Sequence, residues 1–512
     1  MKKIGIIGAG PGGLAAGILL ANNGFDVTIY EKKDRVGGRN SYFKADGYTF
    51  DIGPTFFMMP FILEEIFAEA GADLHDYVDL KLLAPYYQLV YHDGKKILPS
   101  NNFEEVKESI ENINSSDVDG FDRYMQDNRK KMNYTLPVLQ RPFNNFFDLF
   151  NTDLLKLLTV LKPHKSLWQD LGDYFTDDRI KVGFTFQSKY LGMSPYNCPS
   201  MFSILPFTEY EWGVFHVMGG LNQLSQQMAV LFKELGGEIK LEDEVKEINI
   251  VRGSAEGLKM ADGSYNELDE IIMNADFAYG MEDLIPDQKR KKYSNTNLDA
   301  KRYSCSTFML YLGLDTIYDD LEHNNVFIAE DYEKNFLEIE SKKVLSEDPS
   351  FYVQNASVTD PSLAPEGHST LYVLVPTANL KSQIDWQKDK SRFRDLIIRK
   401  LKNKVGLEDI EEHIKYEKIL SPLDWRDEMD VGYGATFNLA HNLGQMLLFR
   451  PHNRFEEFEN MWLVGGGTNP GSGLPTIYES GRITANLISE KHNVSYSTNY
   501  LHNKNRTIEK SI

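Results

Sequence analysis

The chain has 512 residues, room for more than one domain, and its 42% hydrophobic and 25% charged residues are the balance of a globular protein with a packed core. A formal net charge of −20 argues against a nucleic-acid partner, whose phosphates need a basic surface. Two cysteines, Cys198 and Cys305, with no CxxC and no Cys/His cluster, provide neither a disulfide framework nor a zinc site, and no metal is expected.

The chain opens Met1-Lys2-Lys3 and turns apolar at once. A secretory leader begins the same way, but Ile4-Gly5-Ile6-Ile7 breaks into glycines and reads as a short buried parallel strand. Gly8-Ala9-Gly10-Pro11-Gly12-Gly13 follows, then a helix over residues 14–23 closed by Gly24, then a second strand, Val27-Thr28-Ile29-Tyr30, ending at Glu31 and Lys32. This is a β-α-β unit built around G-x-G-x-x-G. Gly8 permits the tight turn, Gly10 lets the backbone reach a pyrophosphate, and Gly13 lets helix and strand pack. The helix N-terminus at Pro11-Gly12 presents its unpaired N–H groups, from Gly12 onward since Pro11 has none, to phosphates, and Glu31 accepts hydrogen bonds from ribose hydroxyls. Two further segments, Arg35-Val36-Gly37-Gly38-Arg39 and Phe50-Asp51-Ile52-Gly53-Pro54-Thr55, extend the pattern. A cation at Arg39 has an evident use beside a diphosphate.

From Arg141 to Trp168 the chain reads RPFNNFFDLFNTDLLKLLTVLKPHKSLW. Phe143, Phe146, Phe147, Phe150, Leu154, Leu157, Leu158 and Leu161 fall at helical spacing, stopped by Pro163, with Lys156, Lys162 and Lys165 nearby. Such a helix packs on the core or dips into a membrane surface with its lysines at the headgroups. The aromatic stretches Tyr86-Tyr87, Phe202 to Phe207 and Tyr210-Glu211-Trp212 are equally open: core, or lining of a long apolar tunnel. A helix begins after Gly219-Gly220, with Leu221, Leu224, Met228, Leu231 and Leu235 on one stripe, and stops at Gly236-Gly237 before the strand Glu238-Ile239-Lys240-Leu241. Near the end, Met461-Trp462-Leu463-Val464 reads as another buried strand. It runs through Gly465-Gly466-Gly467 to Gly473-Leu474-Pro475 into a helix containing Ile477. N–H groups there can hold a ligand carbonyl or a developing negative charge. No stretch reaches the ~18 apolar residues of a spanning helix.

With both glycine segments on view, the chain resembles the FAD-dependent amine oxidase superfamily, and its V-G-G-G-T-N-P-G-S-G-L-P resembles the C-terminal signature of bacterial-type carotenoid (phytoene) desaturases. The likeness is specific at residues 4–59 and 461–487 and weak between. It departs from the wider group at Gly467, where an acidic residue is usual, and no cysteine lies near Gly473, so FAD is expected to be held noncovalently. The resemblance implies that Gly38, Arg39, Gly53, Pro54 and Thr55 line the cofactor, that the Val245 backbone contacts adenine, and that Asn274-Ala275-Asp276 stands nearby. The second half of the flavin site would be Gly466, Gly467, Gly473, Leu474, Pro475 and Ile477.

The expected fold is mixed α/β: a Rossmann-like FAD-binding domain assembled from residues 1–75, 215–290 and 455–490. A substrate and membrane-binding domain from 76–214 and 291–454 interleaves with it, and 491–512 form a polar tail. There is no Ser/His/Asp arrangement, HExxH or P-loop, so the flavin must carry the chemistry. The resemblance implies desaturation of a C30 or C40 carotenoid by hydride transfer to flavin. A carotenoid oxygenase, a polyene isomerase and a non-catalytic lipid escort are the alternatives. Without a second G-x-G-x-x-G, NAD(P)H need not bind, and quinone or oxygen is the expected terminal acceptor. The expected location is cytoplasmic, peripherally on the inner face of the cell membrane. No catalytic base is evident; His216, Asp424 and Glu479 are merely the ionisable residues nearest the motifs, and each reads as structural.

Overall fold

The computed structural model of the chain describes residues 1–497, so the expected polar tail lies outside the described residues from 498 onward. The N-terminal strand Lys3–Ile7 is the centre of a five-stranded, all-parallel sheet. Across it the strands run Met461–Leu463, Glu270–Met273, Lys3–Ile7, Asp26–Tyr30 and Glu238–Lys240. Both faces of such a sheet are covered, which is why residues 4–7 and Met461–Leu463 read as unbroken buried runs, while the edge strand Glu238–Lys240 keeps polar residues.

Two helices on this sheet fix the geometry of the cavity. Pro11–Asn22 is almost wholly buried and starts at Gly10; Leu474–Lys491 starts at Gly473. They approach so closely that a side chain on Gly481 would stand 2.6 Å from the Gly12 carbonyl and 2.8 Å from Ala15 Cβ. Small residues at the crossing bring together two helix starts that the sequence separates by most of its length.

A second sheet has seven strands, in the order Ile414–Leu420, Ser306–Leu314, Ser369–Thr377, Phe351–Gln354, Asn324–Phe327, Gln88–Val90 and Lys96–Ile97. All neighbours are antiparallel except Asn324–Phe327 and Gln88–Val90. Along Ser306–Leu314 the period of two sorts the residues. Phe308, Leu310 and Leu312 pack against Trp386, Phe393 and Ile397 of the helix Trp386–Lys400. Met309 and Tyr311 face the other way, toward Tyr48, Phe50 and Trp425.

The segment 143–161 departs from its expected single helix. Asn145 and Asn151 each accept a backbone N–H two residues on and so cap separate pieces: a short 3₁₀ turn, Phe146–Phe150, and a helix, Thr152–Val160. The apolar residues split accordingly. Phe143, Leu154 and Leu157 pack with Val138 in a small core, whereas Phe146, Phe147, Phe150, Leu155 and Leu158 are exposed. Leu447 packs against the same small core, and the exposed Leu443 and Phe449 flank it in sequence. Lys162 and Lys165 are paired with Asp170 and Asp173 rather than free. Among the described residues no helix is long and apolar enough to cross a membrane.

Candidate cofactor and substrate cavity

One cavity of about 760 Å³ runs from the glycine turn at Gly8 to the second sheet. Gly8, Gly10, Pro11, Gly12, Glu31, Lys32, Gly38, Arg39, Gly53, Pro54, Thr55 and Val245 line it. From the far end of the chain come Gly466, Gly467, Gly473, Leu474, Pro475 and Ile477. Of the residues singled out from sequence only Gly13 stays off the wall. A side chain there would come within 2.6 Å of Asn274 Nδ2 and 2.7 Å of the Gly8 carbonyl, so Gly13 serves the close packing behind the turn.

Asn274 ties that turn to the sheet: its Nδ2 donates to the Gly8 carbonyl at 2.8 Å. Glu31, buried, accepts the Ala9 N–H at 2.8 Å through one oxygen and the Lys33 N–H at 2.9 Å through the other. Burial pushes its carboxyl above the usual range, and these two backbone donors pull it back. Each carboxylate oxygen keeps a lone pair for a further donor. Lys32 turns to Asp430, and Arg39 donates to Asp276 at 3.0 Å while a third of its side chain stays exposed.

The two helix starts facing the cavity share a property. Gly10 and Gly473, being glycines, offer no side chain to cap the first turns that follow them. The N–H groups of the first turns at Gly10 and Gly473 are therefore available to an anionic or carbonyl ligand, and the helix dipoles favour negative charge there. Beneath the second start lies Arg450, completely buried, whose guanidinium donates to the carbonyls of Gly466, Thr468, Gln445 and Leu439. Burial pushes its pKa down to about 9.

Beyond the glycine segments the wall becomes apolar and aromatic: Phe56, Phe186, Tyr352, Tyr372, Trp425 and Phe437. Its tyrosine hydroxyls are committed, Tyr372 to the Gly53 carbonyl at 2.6 Å and Tyr352 to Asn324 and Thr55 at 2.6 and 3.0 Å. Lys189 also lines this part. Sequence reasoning missed these residues, as it missed Arg450. The aromatic stretches it did single out are core: Tyr86, Tyr87, Phe207 and Tyr210 are buried off the wall. His216 bonds Asp360 at 3.0 Å, Asp424 pairs with Lys390 and caps through Ser421, and Glu479 pairs with Arg482, all away from the cavity. Among the described residues no group of His, Cys, Asp and Glu is arranged to hold a metal ion.

Comparison with known proteins gives the cavity its context. Residues 11–489 match the family model described as flavin containing amine oxidoreductase. The chain is 46% identical over 97% of its length to a 4,4'-diapophytoene desaturase (4,4'-diapolycopene-forming) of Methylomonas sp, of which the match covers 96%. It is 37% identical over 96% of its length, and 94% of the other chain, to an all-trans-zeta-carotene desaturase of Myxococcus xanthus. Among solved structures it shares the fold of a putrescine oxidase, with a TM-score of 0.63 at 16% identity, covering 96% of this chain and 99% of that one.

Proposed function

Because the chain belongs to the flavin containing amine oxidoreductase family and its relatives desaturate carotenoids, we infer that it is itself a carotenoid desaturase, an oxidoreductase acting on CH–CH groups in carotenoid biosynthesis. The observation that carries this reading is that one cavity has phosphate-type turns at one end and, at the other, an aromatic wall with the hydroxyls of Tyr352 and Tyr372 already bonded. A hydrocarbon chain offers no polar handle, and such a wall asks for none.

The flavin is FAD. The smaller flavin nucleotide lacks the adenosine half, and Glu31 with Val245 would then have nothing to hold. The fit rests on the carboxylate of Glu31, on the uncapped helix starts at Gly10 and Gly473, and on Gly8, Gly38 and Gly473, which bring positive-φ backbone to the cavity wall. Bound there, a flavin supplies hydride acceptance. The chain's own residues position and exclude. Arg39 brings positive charge to the diphosphate stretch. The Gly473 helix start favours charge that develops on the ring system, and Arg450 holds the loop beneath it. Phe56, Tyr352, Tyr372 and Phe437 keep water from the polyene.

The substrate is a C30 or C40 carotenoid, the reoxidant quinone or oxygen, and the protein works on the inner face of the cell membrane. The exposed Phe146, Phe147 and Phe150 support that placement better than the lysines beside them, which are paired. The test is anaerobic mixing of FAD-loaded protein with 4,4'-diapophytoene in liposomes. Flavin bleaching should accompany a shift of polyene absorption to longer wavelength. Bleaching without a new double bond, or product only with added NADPH and oxygen, would overturn the reading in favour of an oxygenase.

A further inference from the structure

Desaturation removes a hydride and a proton, and the residues described so far account only for the first. Lys189 stands apart from the other cations on the cavity wall. Lys32 pairs with Asp430, Arg35 with Asp34, Arg39 with Asp276 and Lys418 with Glu428, while Lys33 donates to the Glu428 carbonyl. Among the described residues Lys189 Nζ makes no hydrogen bond and no ion pair. It lies over the rings of Phe336 and Tyr332, 5.0 and 5.4 Å from their centres. The titratable groups around it are few. Cys305 and Lys404 act on its charge, and Glu340 acts in turn on Cys305; Lys404 lies in the segment Leu401–Val405 and donates a hydrogen bond to the Ile328 carbonyl, and the Tyr332 hydroxyl lies 3.5 Å from that of Thr185. Burial pushes the Cys305 thiol up to about 12, so no thiolate balances an ammonium there. Burial likewise pulls the Lys189 ammonium down to about 7, with Lys404 adding to the effect. A half-buried amine on an apolar wall, held by ring faces alone and with its lone pair available near neutral pH, is suited to take a proton.

We propose that Lys189 is the proton acceptor of the desaturation. One C–H bond of the substrate breaks with its electron pair leaving as hydride to the oxidised flavin. The C–H bond on the adjacent carbon gives its proton to the Lys189 amine, and the electron pair left behind becomes the new C=C bond. The substrate loses two electrons, the flavin gains them, and Lys189 becomes an ammonium that later releases its proton to water. This role rests on the desaturase reading above.

Two measurements test it. In FAD-loaded protein, trace acetylation followed by mass spectrometry should label Lys189 with a midpoint near pH 7, against about 10.4 for ordinary lysines. Labelling that begins only above pH 9 would overturn the proposal. In anaerobic mixing with 4,4'-diapophytoene, the wild-type bleaching rate should rise with pH through the same midpoint. Lys189→Met should bleach about 10²- to 10⁴-fold more slowly, with its flavin content kept and its pH profile flat. Lys189→Arg keeps the stem and the charge but cannot act as a base, and it should be equally slow; it decides the matter if the methionine variant does not fold. A wild type that bleaches beside variants of equal rate overturns the role of Lys189 alone. A wild type that never bleaches with a carotenoid overturns the desaturase reading and this role together.

Discussion

Arg450 donates from Nη2 to the Gly466 carbonyl at 2.5 Å and from Nε to the Thr468 carbonyl at 3.0 Å, so one buried cation sets the shape of the C-terminal glycine loop. Among the described residues no carboxylate pairs with it, and carbonyl oxygens alone satisfy it. Arg450→Met should therefore leave several buried carbonyls without donors. The expected loss is roughly 3–5 kcal/mol of stability, together with loss of bound flavin. Thermal melts with and without added FAD check this. A variant that melts like wild type and stays yellow would remove Arg450 from the support of the loop.

Glu31 makes a second, separable prediction. Its carboxylate already holds one backbone N–H of the glycine turn and one of its own, and the ribose hydroxyls of a bound FAD would add charge-assisted bonds of about 1.5–3 kcal/mol each. Glu31→Ala should weaken FAD binding by about tenfold or more per bond lost, and Glu31→Gln should fall between. Fluorescence titration of the deflavinated protein measures this directly. Equal affinity in all three proteins would contradict the ribose role.

The buried pair of Glu209 and Gln187 should show itself in the pH dependence of stability. Glu209 accepts from Tyr87 and Gln187, yet burial pushes its carboxyl up to about 8. The folded state then holds a proton that the unfolded chain, with a carboxyl near 4.3, gives up. Between those values the native protein binds more protons, so stability falls as pH rises, at up to roughly 1.4 kcal/mol per pH unit from this group. Denaturant midpoints for wild type should fall from pH 5 to 8, and Glu209→Gln should remove that part of the slope. Parallel curves for the two proteins would show that Glu209 is ionised in the fold.

The membrane placement is tested where the segment 143–161 splits. Phe146 and Phe150 are 62% and 63% exposed, so Phe146→Asp with Phe150→Asp should cost the fold little, within about 0.5 kcal/mol each. The double variant should sediment where wild type floats with liposomes. Leu157→Asp, aimed into the small core, should instead unfold that core. Equal flotation of the double variant would mean that this surface is not the anchor.

These results also mark where sequence reading succeeds. The glycine segments were legible because a backbone at positive φ admits few residues: Gly8 stands at +93° and Gly473 at +115°. The aromatic wall was not, because strands such as Ser306–Leu314 are buried along their whole length, and an apolar run does not say which face meets a ligand. Arg450 gave no signal, since its partners are carbonyls scattered over four loop positions. Over 143–161 the helical period held within Thr152–Val160, but two asparagine caps overrode it at the joins.

The parallel sheet has a consequence for how the protein comes into being. Its central strand, Lys3–Ile7, leaves the ribosome long before the edge strand Met461–Leu463. At 5–20 residues per second the two emerge roughly 20–90 s apart. Through that interval the nascent chain carries an unfinished sheet with an open apolar edge, the state in which aggregation competes with folding. Recruitment of flavin then waits for the second helix start, which does not yet exist. A chain released before residue 474 should be colourless and should depend on chaperones to stay in solution.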